Sequence, residues 1–68
     1  MAMFVQYEIW ENNGGKWEFI ASFTDFDLAN VMARQRSYRV RLMKVMYEDG
    51  EVAGQEVLTE IGATRQKP

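Results

Sequence analysis

Residues 23–36 read FTDFDLANVMARQR, and this stretch decides the fold. Leu28, Val31, Met32 and Gln35 follow the i, i+3, i+4, i+7 spacing of a helix stripe that faces a core. Thr24 stands where an N-cap hydroxyl would accept an orphan backbone N–H, and Asp27, three residues on, can reach back to it. Phe23 and Leu28 fit the two positions of a hydrophobic staple. Asp25 and Asp27 in the first turn, with Arg34 and Arg36 in the last, complement the helix dipole. The pattern predicts one helix over residues 25–36.

Upstream, residues 3–10 alternate with period two, Met3, Val5, Tyr7 and Ile9 against Phe4, Gln6, Glu8 and Trp10. Residues 16–23 do the same, with Trp17, Phe19, Ala21 and Phe23 on one side and Ile20 on the other. Residues 11–15, ENNGG, form the turn between these two strands, expected as a loop of about three to five residues. Pairing Ile9 with Trp17, Tyr7 with Phe19 and Val5 with Ala21 gathers the large apolar groups on one face.

Downstream, residues 38–48 and 51–61 flank Asp49-Gly50, a strong hairpin signal. A two-residue turn there pairs Tyr38 with Ile61, Val40 with Thr59, Leu42 with Val57 and Met46 with Ala53 on the core face. The other face then pairs Arg39 with Glu60, Arg41 with Leu58, Met43 with Glu56 and Tyr47 with Val52. Gly54 is a place for a bulge that would shift part of this register.

The expected fold is α+β: ββαββ, a four-stranded antiparallel sheet in the order 2-1-3-4, with one helix packed on the face carrying Val5, Tyr7, Phe19 and Val40. Residues 1–61 make a single domain, and 62–68, without periodicity, a flexible C-terminal tail. The order 1-2-3-4 is the alternative and would make the central pair parallel.

Composition narrows the function classes. The chain has 68 residues, with neither cysteine nor histidine, so disulfides, thiolate metal sites and the usual general base are missing. A domain near this size is marginally stable, and self-assembly is the staple left to it. Ser22 and Ser37 have no histidine to activate them, and Gly14-Gly15 precedes no helix that would make a phosphate loop. Helix capping accounts for Asp25 and Asp27, and a solvated hairpin tip for Glu48, Asp49 and Glu51. The expectation is therefore no enzyme, no metal and no cofactor. No apolar run approaches the roughly 18 residues of a membrane span, and no export signal is visible, so the expected location is the cytoplasm.

The formal charge of −2 hides blocks of alternating sign. Arg34, Arg36, Arg39, Arg41 and Lys44 fall in one stretch without an acid, between two acidic segments. Arg39, Arg41 and Lys44, with outer-face aromatics, are the ingredients of a single-stranded nucleic-acid platform. Pairing of Arg39 and Arg41 with Glu60 and Glu8 explains the arginines as well, and the overall acidity argues against a phosphate-dominated partner.

The outer face is also expected to carry Phe4, Trp10, Ile20, Met43, Val45, Tyr47, Val52 and Leu58, a contiguous apolar set that marks a protein interface. A helix of about twelve residues cannot cover strands of about ten, so the half of the second hairpin near Asp49-Gly50 overhangs the core. The resulting expectation is a small interaction domain of adaptor or inhibitor type. It is a homodimer or higher homo-oligomer joined through the outer face and the hairpin tip, with another protein as a possible partner. The alternative is a nucleic-acid module.

Overall fold

A computed structural model describes residues 2–36 and 39–61. The elements are β1 (Met3–Asn13), β2 (Lys16–Phe23), α1 (Phe26–Arg34), β3 (Val40–Glu48) and β4 (Glu51–Ile61). All pairings are antiparallel, in the expected order β2-β1-β3-β4 and not the alternative 1-2-3-4. Tyr38 and the expected tail, 62–68, lie outside the described residues. The helix is not long and apolar enough to cross a membrane.

Both hairpins close with two residues at positive φ, Gly14 (65°) with Gly15 (88°) and Asp49 (54°) with Gly50 (87°). Positive φ at both central positions is the type I′ geometry, whose twist matches that of paired strands. The first loop is therefore shorter than expected. Asn13 pairs with Lys16, and Asn12 closes the turn by accepting from the Gly15 amide at 2.8 Å.

The shorter first turn and three bulges correct the expected registers: Trp17 pairs with Asn12 and not Ile9, Phe19 with Trp10 and not Tyr7, and Ala21 with Ile9 and not Val5. In β2, Ile20 is left without a cross-strand partner, so Trp10 faces Phe19 while Ile9 faces Ala21. The extra residue flips the alternation. Trp17 and Phe19 thereby turn to the side away from the helix, and Ile20 packs against the core instead of standing on the outer face. In β4, Ala53 and Leu58 are the unpaired residues. The expected Tyr47–Val52 pair holds beside the turn, and Gly54 adjoins the first bulge. Between the bulges the parity is inverted: Val57 leaves the core face to sit beside Met43, and Glu56 sits beside Lys44. Beyond the second bulge Val40 pairs with Ile61 and Arg41 with Glu60.

The helix begins one residue later than expected. Asp25, not Thr24, is the N-cap, and its Oδ2 accepts from the Leu28 amide at 3.1 Å. The residues pressed on the sheet are Ala29 and Ala33, both without exposed surface, over Ile9, Val40 and Leu42. The expected stripe of Leu28, Val31 and Met32 is exposed instead. The sheet supplies the bulk here, since Tyr7, Ile20, Phe23 and Ile61 also fill this layer, and small helix residues allow close approach. At the other end, the Arg36 guanidinium donates to both carboxylate oxygens of the buried Glu11 at 3.1–3.2 Å.

The outer sheet face as a candidate interaction surface

β3 pairs with β1 without a bulge, so its alternation is strict. Arg41, Met43, Val45 and Tyr47 share the outer face with Phe4, Gln6, Glu8 and Trp10. Lys44 falls on the helix side, opposite Tyr7 and Glu56. The expected trio of Arg39, Arg41 and Lys44 is thus divided between two faces.

Glu8 organises one half of the outer face. Its two oxygens accept from Trp10 Nε1 at 3.0 Å and from the Tyr47 hydroxyl at 2.7 Å. The Tyr47 phenol is held above its ordinary value, chiefly by this hydrogen bond to Glu8, then by desolvation and the Glu8 charge. Tyr47 stacks on Phe4, with ring centroids 5.3 Å apart and planes 19° apart, and Trp10 meets Phe19 edge-on at 5.6 Å. Val45, in the middle of this half, is only 1% exposed. Expected as an interface residue, it is buried between its strand neighbours Gln6 and Gln55.

Glu60 organises the other half. Oε1 accepts from Arg39 and Oε2 from Arg41, each at 2.9 Å from Nη2. Hydrogen bonds from Arg39 and then from Arg41 hold the Glu60 carboxyl below its ordinary value. The Arg41 guanidinium lies 4.1 Å and that of Arg39 5.6 Å from the centre of the Trp17 ring. Stacked planar cations of this kind favour the ring's negative face. Glu8 is therefore not the partner of Arg41; it is taken by Trp10 and Tyr47.

A shallow groove of about 260 Å³ runs between the halves, lined by Trp10, Trp17, Arg41, Met43 and Gln55. Beside it Phe19, Val57 and Leu58 are exposed, Phe19 by 51%, and farther along, toward the Asp49-Gly50 turn, so are Phe4 and Val52. Of the eight expected interface residues, Phe4, Trp10, Met43, Tyr47 and Val52 share this face, Leu58 stands at a bulge on its edge, and Val45 and Ile20 are packed within the molecule.

Trp17, Phe19 and Val57 belong to this surface although simple alternation places them on the core face, and Gln55 lines the groove with Trp17. Their signal was local: Phe19-Ile20 and Val57-Leu58 are adjacent large apolar pairs, and each pair breaks a period-two pattern where a bulge lies. Among the described residues no group of three acidic side chains gathers as metal ligands would. No family model, curated protein or solved structure matches the chain.

Proposed function

We propose that the chain is a non-enzymatic interaction domain of adaptor or inhibitor type that offers its outer sheet face to another protein. The observation that carries this reading is the state of the charges. Glu60 pairs with both Arg39 and Arg41, so that one net positive charge is left among the three, while Phe4, Phe19, Val52 and Val57 remain exposed. Aromatic residues, methionine and arginine are the groups enriched where proteins meet. Phosphate recognition draws on unpaired cations, and here the two arginines are committed within the chain.

The test compares the chain with its Phe19→Asp and Phe4→Asp variants as immobilised bait against extract of the native host. A captured protein is then identified, purified and titrated against all three. Binding by the wild-type chain, lost in both variants, supports the reading. A parallel titration with single-stranded DNA and RNA at low and high salt provides the opposing arm. Saturable, steeply salt-dependent nucleic-acid binding that disappears in Arg41→Ala would replace the proposal with the nucleic-acid reading.

A further inference from the structure

On the outer side of the overhang Val45 is buried and Tyr47 is held by Phe4 and Glu8; the helix side has no such packing from the helix. Phe26 meets Tyr7 edge-on at 5.6 Å, and Arg36 reaches Glu11. These contacts lay the helix along β1 from Tyr7 to Glu11, about 13 Å at strand rise. Nine helical residues span the same distance, about 13 Å. The sheet continues on the far side of Tyr7 for another four residues, again about 13 Å, to Met3. This uncovered stretch presents Met3 and Val5 on β1, Met46 and Glu48 on β3, and Gly54 and Glu51 on β4. A shallow depression of about 240 Å³ beside Met46 and Gly54 marks it. The radius of gyration, 13.0 Å, exceeds the roughly 11 Å of a compact chain this long, as a half-covered sheet requires.

We propose that a second copy of this chain covers the stretch with its helix, in a two-fold dimer with both helices enclosed between two sheets. The helix has the surface for it. Its alanines face its own sheet, and Leu28, Val31 and Met32 are 47%, 52% and 39% exposed. One exposed apolar stripe and one uncovered apolar stretch, equal in length and displaced along the same axis, complement each other when the second copy is turned end for end.

The charges match in the same arrangement. The helix C-terminal turn, with Arg34, comes to lie over the hairpin end of the second copy, and the N-terminal turn, with Asp27, over its Lys44. At the hairpin end Glu48 and Glu51 stand directly opposite each other on this face. Like charges so placed repel, and among the described residues neither has an ion-pair partner. Arg34 of the second copy supplies the missing cation, and Lys44 meets Asp27 in return. The dimer leaves both outer faces free, pointing in opposite directions. It stands independently of the outer-face reading, and different variants test the two.

Sedimentation equilibrium on the full chain, from about 10 to 500 µM, should show a species of twice the chain mass, a range that brackets the weak affinities expected of so small an interface. Val31→Asp should weaken the dimer about tenfold or more, as a charge at the centre of an apolar contact does, with the circular dichroism of the folded chain retained. Phe19→Asp should leave it unchanged. Arg34→Glu and Glu51→Arg should each weaken the homodimer, and an equal mixture of the two should restore it, because both sets of charges are then matched. A wild-type chain that stays monomeric overturns the proposal. So does a dimer that Phe19→Asp breaks and Val31→Asp spares. A mixture no tighter than its separate components overturns the end-for-end arrangement.

Discussion

Arg36 closes the end of the helix onto the sheet by gripping Glu11, a carboxylate whose side chain is 7% exposed while the Arg36 side chain remains 36% exposed. Glu11 faces the helix between Val40 and Glu18, where an aliphatic residue would continue the core. Its charge is tolerated because the guanidinium engages both oxygens. Arg36→Ala would strand that carboxylate in the layer between helix and sheet. The expected loss is about 3 kcal/mol of unfolding free energy by urea denaturation, since breaking a buried pair costs more than the pair contributes. The double variant Arg36→Ala with Glu11→Gln should recover part of that loss. A loss in the double variant equal to the sum of the two single losses would show that the pair is uncoupled.

Asp25 caps the helix, so Asp25→Ala should destabilise the domain by about 1 kcal/mol. For a domain of this length that lowers the melting midpoint by roughly 4–8 °C. Thr24→Ala, one position outside, should stay within about 0.5 kcal/mol of wild type. Thermal denaturation of the two variants side by side decides between the two cap positions.

Val45 lies on the sheet face away from the helix but behaves as core. Val45→Ala should cost about 2 kcal/mol through lost burial and the cavity left behind. Val52→Ala, at an exposed site on the same face, should change stability by about 0.5 kcal/mol or less. Equal effects at the two positions would mean that the outer face does not close over Val45.

Glu60 should titrate below the ordinary carboxylate range when followed by carbonyl carbon shifts in NMR. Its folded-state value is depressed. The stabilisation it carries is therefore present above the unfolded-state value and is lost as pH falls through the folded one. Arg39→Met and Arg41→Met should each move the midpoint upward. A midpoint unmoved by either substitution would show that the two guanidinium contacts do not persist in solution.

The order of elements was legible in the sequence because it depends on local chemistry, whereas the sheet order was narrowed to two choices and decided by the pairing of β1 with β3. Period-two apolar runs make strands, Gly14-Gly15 and Asp49-Gly50 supply the positive φ of tight hairpins, and a helix between the hairpins carries the chain across β1. The paired arginines were legible in part: Glu60 was named for Arg39, and the structure adds Arg41 to the same carboxylate. Which residue lies on which face was decided only by the tertiary structure. A bulge is one extra residue whose position depends on how both strands pack, and each one inverts every side chain beyond it until the next. Ile20, Ala53 and Leu58 did this, moving Trp17, Phe19 and Val57 to the outer face. The helix stripe shows the same limit. Spacing marks Leu28, Val31 and Met32 as an apolar face, but what a face lies against depends on the volume already filled beneath it. Ile9, Val40 and Leu42 left room on this sheet only for Ala29 and Ala33, so the larger side chains were turned outward.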